Sequence, residues 1–140
     1  MNDIIKELKI MNLFDIIPEN YFGLFAGKNR SIYIESLLVL YDLLESDETL
    51  ISKNDFIKAL KEKSDDIDKF SYADEDFETT GDEALLLNTI NAKATFIVNR
   101  LEETGWIDIA MNPDTFEEKI VLPQYSILIL KAFRDIISDE

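Results

Sequence analysis

Apolar positions along the chain repeat at helical spacing in five stretches and alternate in one. Residues 29–46 (NRSIYIESLLVLYDLLES) carry Ile32, Ser36, Leu37, Leu40 and Leu44 on one side and predict a first long helix, with Asn29 placed to cap its start. A second stripe, Ile34, Leu38 and Tyr41, lies on another side of the same helix. A surface helix needs one apolar face, so this one is covered twice, by other elements of the chain or by a second chain. A shorter helix is predicted over 53–63. Ser52 and Asp55 resemble a capping box, Phe56, Ile57 and Leu60 face inward, and Lys58, Lys61 and Lys63 suit the negative end of the dipole. The cleanest period spans 83–103, where Leu86, Ile90, Ala94, Ile97 and Leu101 form a core stripe opposite Asn88, Asn91, Thr95 and Asn99.

Gly105 ends that helix where a left-handed residue is wanted. Ile107, Ile109 and Met111 then alternate against Trp106 and Asp108, which reads as a half-buried strand over 106–111. Turn residues follow at 112–115 (NPDT), a partner strand over 116–122, and Pro123 as a stop. The last helix, 124–137, is apolar around most of its circumference: Tyr125, Leu128, Ile129, Ala132, Phe133, Ile136 and Ile137. At the other end, residues 3–13 form a short amphipathic helix with Ile4, Leu8 and Met11 on one face. Pro18 breaks it, and the aromatic segment 21–25 (YFGLF) packs under the first long helix.

Helix, helix, helix, hairpin, helix is the winged-helix order, a variant of the helix-turn-helix. The expected fold is mainly α with a small β-hairpin: a winged-helix domain with extra N- and C-terminal helices. The whole chain, 1–140, reads as one domain by length. Residues 1–27 hold the N-terminal helix and aromatic segment, 28–123 the winged-helix core with an acidic insertion at about 62–83, and 124–140 the C-terminal helix. Residues 94–123, the end of the third helix with its exit and the wing, are the unit that the rest supports.

Charge changes what such a fold is for. Twenty-nine acids against fourteen bases give a net charge of −15, which repels phosphate backbones. The third helix occupies the recognition position, yet only Lys93, Arg100 and the wing's Lys119 could contact DNA, amid Glu102, Glu103, Glu117 and Glu118. Direct DNA binding is therefore disfavoured. Residues 62–83 hold ten acids and two bases, but Ile67, Phe70, Tyr72 and Phe77 among them argue for a loop or short helical insertion over a solvated tail. That stretch lacks the ligand spacing and central glycine of a calcium loop, so no metal is expected.

The chain has neither cysteine nor histidine, which excludes disulfides, thiolate chemistry and the commonest general base. The carboxylate pairs Glu102/Glu103 and Glu117/Glu118 are adjacent and point apart, and no glycine-rich phosphate loop is present. No catalytic residue and no cofactor is expected. Arg30 is expected to pair with Glu35 or Asp42 of its own chain rather than across an interface. No apolar run approaches the ~18 residues of a membrane span, no signal peptide is indicated, and the expected location is the cytoplasm.

Two blocks, residues 24–44 (LFAGKNRSIYIESLLVLYDLL) and 100–130 (RLEETGWIDIAMNPDTFEEKIVLPQYSILIL), resemble a known family. Lys28-Asn29-Arg30 with Tyr33, the Thr104-Gly105-Trp106 exit, and Ile120-Val121-Leu122-Pro123 with Tyr125 carry the resemblance. It is to the N-terminal part of the JetA family, the MukF-like kleisin subunits of Wadjet-type bacterial SMC complexes. The resemblance implies an N-terminal winged-helix domain that serves dimerisation in a complex acting against plasmids and other foreign DNA. Family members are much longer, and the regions that contact the SMC subunits lie outside the blocks matched here.

Both lines lead to a non-catalytic interaction module that forms a homodimer. Its candidate interface is Ile34, Leu38, Tyr41, Leu128, Phe133 and Ile136. The alternative is a winged-helix DNA-binding regulator working through Lys93, Arg100 and Lys119.

Overall fold

The computed structural model describes residues 12–46, 50–75 and 86–138. Among the described residues the expected long helices and the hairpin follow in the expected order, with short helical pieces between them. The elements are α1 (Leu13–Ile16), α2 (Arg30–Ser46), α3 (Lys53–Lys61), α4 (Ser64–Asp68), α5 (Ile90–Glu103), strands β1 (Asp108–Met111) and β2 (Glu118–Val121), and α6 (Gln124–Ser138), with residues 86–87 also helical ahead of α5. Two 3-10 turns, Tyr21–Phe25 and Tyr72–Asp74, also lie among the described residues. The expected amphipathic helix over 3–13 lies almost wholly outside the described residues. Asn12 opens a separate single turn, α1, through a reciprocal cap with Asp15.

Helix α2 is the centre of the core. Leu37 and Leu40 are fully buried, and Leu38 and Tyr41 of its second stripe are buried as well. The chain's own elements supply the cover: the Tyr21–Phe25 turn, α3, α5 and α6 all pack on α2. Asn29, just ahead of α2, is buried. Its amide clasps Ser71, accepting from the Ser71 N–H at 3.0 Å and donating to the Ser71 carbonyl at 2.6 Å. Helix α3 behaves as its pattern predicts, with Phe56 and Leu60 buried and Ser52 accepting from the Asp55 N–H at 3.0 Å.

The third long helix starts later than its apolar period predicts. Thr89 caps α5 by accepting from the Ala92 N–H, and Leu86, assigned to the core stripe, is 69% exposed ahead of that cap. Ala94, Ile97 and Leu101 are fully buried as expected. The exit is a Schellman turn: the Gly105 N–H donates to the Glu102 carbonyl and the Trp106 N–H to the Leu101 carbonyl. Gly105 adopts φ 85°, and a Cβ there would lie 2.4 Å from Pro18 Cγ. Glycine is required twice over, by the backbone angle and by the proline packed against it.

The wing is shorter than its alternation suggests. β1 and β2 pair antiparallel in the register Asp108–Val121 to Met111–Glu118. Trp106 and Ile107, assigned to opposite faces, are both fully buried, because they belong to the exit turn and not to the pleated strand. Met111, expected inward, is exposed at the far end. On its other edge β2 meets the α2–α3 connection, where the Ile120 N–H donates to the Ile51 carbonyl at 2.8 Å and Ser52 bridges to Lys119.

Candidate interaction surface

The first feature of the surface is the junction that fixes its pieces. Tyr21 from the 3-10 turn stacks on Trp106, ring centroids 3.7 Å apart and planes 17° from parallel. The Trp106 indole N–H donates to the Tyr21 carbonyl at 2.7 Å. Ser126 of α6 donates to the Trp106 carbonyl at 2.8 Å and receives the Tyr21 hydroxyl at 2.8 Å. Tyr125 adds a hydrogen bond to the Gly105 carbonyl at 2.9 Å. Burial raises the Tyr21 hydroxyl pKa, partly offset by its bond to Ser126. The N-terminal segment, the α5 exit and α6 are thus tied together by buried, satisfied polar groups. Nothing in the hydrophobic period marks Ser126. The available signal was one small polar residue inside an apolar helix.

The second feature is the recognition helix and what covers it. α4 and the turn after it pack along α5 through Phe70, Tyr72 and Phe96, and Ile67 and Phe70 are buried. The acidic stretch therefore folds onto α5 in its described part; Phe77 and the rest of 76–83 lie outside the described residues. Lys93 is 5% exposed, donating to the Asp68 carbonyl at 2.8 Å with the Asp68 carboxylate 3.8 Å away. Arg100 pairs with Glu75 at 3.3 Å and Glu103 at 3.1 Å and lies over the Phe96 ring. Glu75 also accepts from Tyr33 at 2.7 Å and from Asn29 at 3.1 Å. Burial first, then the Glu75 carboxylate, raises the Tyr33 pKa, against the pull of Arg100. Lys119 on the wing pairs with Glu117 at 3.1 Å. The three candidate DNA contacts do not converge on a basic patch. Each is held against a carboxylate of this chain.

The third feature is α6. Ser126 and Leu130 are its buried residues, whereas Leu128, Ile136 and Ile137 are at least half exposed. Phe133 is half-buried against Phe25, which continues to Phe22 and Phe14 in a chain of ring contacts. Of the candidate interface, Leu38 and Tyr41 are buried inside the fold, Ile34 and Phe133 are half-buried, and Leu128 and Ile136 face out. Arg134 takes Asp42 of α2 as its ion-pair partner, while Arg30 donates to the Gly27 carbonyl. The expected pairing of Arg30 with Glu35 or Asp42 is not made among the described residues, and Asp42 instead ties α2 to α6. Among the described residues no group of three or more acidic side chains is placed to hold a metal ion, and no helix is long and apolar enough to cross a membrane.

Packed helices, a recognition-position helix and an antiparallel hairpin behind it define a winged-helix-like domain, with an added C-terminal helix locked to the wing's root. A family profile described as Wadjet protein JetA matches residues 39–140. The Wadjet protein JetA of Bacillus cereus (strain Q1) is 34% identical over 127 residues, which cover 89% of this chain and 26% of that protein. The chain belongs to the JetA family, and it spans about a quarter of the length of that relative. No solved structure matches it.

Proposed function

We propose that this chain is a non-catalytic, kleisin-type dimerisation module of a Wadjet-type SMC complex, acting in the cytoplasm against plasmids and other foreign DNA. In this reading the SMC subunits are met through other parts of the longer family protein. The observation that carries the reading is the division of the surface. The bases of the recognition helix and wing are each paired with an acid of the chain, while α6 turns Leu128 and Ile136 to solvent. Charge pairing on α5 and a net charge of −15 disfavour phosphate; exposed aliphatic side chains on a helix favour a protein partner. A second α6 laid against the first would bury these side chains at roughly 25 cal/mol per Å² of apolar area, less the cost of association.

Light scattering behind size exclusion, run down to low micromolar concentration, tests the reading. The expected result is a dimer, and Leu128→Asp with Ile136→Asp should convert it to a monomer of unchanged helicity. A wild-type monomer overturns self-association. Tight, salt-sensitive binding of duplex DNA in a gel-shift titration would favour the regulator instead.

A further inference from the structure

The tip of the wing carries a residue that its backbone does not want. The Asn112 N–H donates to the Glu117 carbonyl at 2.9 Å and the Phe116 N–H to the Asn112 carbonyl at 2.8 Å, so residues 113–116 form the loop. Asn112 also accepts from the Asp114 N–H at 2.9 Å. Closing this loop requires the last residue to turn through the left-handed region, and Phe116 does so with φ 58°. Among the described residues it is the only non-glycine with positive φ. Glycine and asparagine enter that region readily; a bulky aromatic residue is strained there. Strain is normally offset by packing, yet Phe116 is 74% exposed, the highest value among the large apolar residues described. Met111, at the end of β1 beside the loop, is 57% exposed. The ring borders a hollow with Ser52, Lys53 and Asn54 but stays mostly exposed, so little packing within the fold offsets the strain.

The charges nearby define what the ring would meet. Asp114, Glu117 and Glu118 belong to the same tip; its one base, Lys119, is paired with Glu117, and Lys53 at the start of α3 borders the hollow beside Phe116, so acids outnumber bases three to two. A phosphate backbone is repelled by such a surface. A helix with an apolar stripe and lysine or arginine flanks complements it on both counts. We propose that the wing tip is a docking point for a basic amphipathic helix of a partner protein, with Phe116 as its apolar anchor and the tip carboxylates pairing with the flanks. This site is separate from the α6 face and stands whether or not the chain dimerises.

The test uses a synthetic Leu/Lys amphipathic helix of about five turns, its Leu/Glu counterpart and a duplex DNA, each titrated against the chain by fluorescence anisotropy. Binding by the Leu/Lys helix alone is expected. Phe116→Asn should weaken it roughly tenfold or more, as loss of an aromatic anchor does, while its urea midpoint stays at or above wild type. Four results would overturn the proposal. The Leu/Lys helix does not bind, or Phe116→Asn binds it as wild type does, which leaves only diffuse charge attraction. Alternatively, Phe116→Asn lowers the urea midpoint clearly, which makes the ring part of the fold. DNA binding that is lost in Phe116→Asn would count against a protein partner in the same way.

Discussion

Ser126 shows how one small hydroxyl holds three segments of chain. It accepts the Tyr21 hydroxyl and donates to the Trp106 carbonyl, with Ser126, Tyr21 and Trp106 all fully buried. Ser126→Ala leaves the Tyr21 hydroxyl and the Trp106 carbonyl without partners, and each orphaned buried group costs about 1–3 kcal/mol. Urea unfolding of this variant should show a loss in that range, whereas Tyr21→Phe, which leaves Ser126 able to bond Trp106, should lose less. Gly105 sets a different limit. Gly105→Ala combines φ 85° with a Cβ driven into Pro18, and should destabilise by more than about 2 kcal/mol in the same measurement. The helix stop was legible in the sequence because glycine is the usual left-handed terminator. The proline that closes over it was not, because the two residues are far apart along the chain and share no period.

At the scale of elements, hydrophobic spacing located the helices and the hairpin and misjudged their ends. Leu86 fits the period of α5, but Thr89 supplies a cap and the helix starts there. Trp106 and Ile107 fit the alternation of a strand, but a Schellman turn precedes the strand and buries both. Local hydrogen bonding decides such boundaries, and periodicity does not report it. The acidic stretch was the least legible part. Its apolar residues argued for structure, yet nothing local indicated that Glu75 would receive Asn29 from just ahead of α2, Tyr33 from α2 and Arg100 from α5. The exposed side of α6 was equally hidden, because a helix apolar all round does not reveal which face its own chain covers. Glu75→Gln removes the charge that Arg100 and Tyr33 face and should cost about 1.5–3 kcal/mol, the range of hydrogen bonds to charged groups. In a double-mutant cycle with Arg100→Gln, a coupling of about 0.5 kcal/mol or more is expected from chemical denaturation. Simple additivity would mean that the acidic segment is held by its aromatic packing alone.

Across the whole molecule, all five tyrosines have raised pKa values. Tyr41 is pushed up to about 12, chiefly by its hydrogen bond to the Glu45 carboxylate and next by burial. For Tyr21, Tyr33, Tyr72 and Tyr125 burial is the leading cause. Each group keeps its proton in the folded state at a pH where the unfolded chain, near 10, gives it up. Their contribution to stability is therefore complete below pH 10 and declines as pH rises through the folded values. Tyrosinate absorbance should stay low at pH 10 and appear together with loss of helicity above it. Half-ionisation at pH 10 with the helices intact would contradict this packing.

The stacked pair at the root of the wing has a spectroscopic consequence. Trp106 is the chain's only tryptophan, so excitation at the indole band reads a single place: the meeting of the N-terminal turn, the α5 exit and α6. The molecule carries its own gauge of that meeting point. Far-ultraviolet dichroism averages over the helices, whereas indole emission follows one three-way contact. Where the two signals change together, closing the junction and forming the helices are one event. If the emission shifts first, the N-terminal turn can detach from a domain that is otherwise still folded.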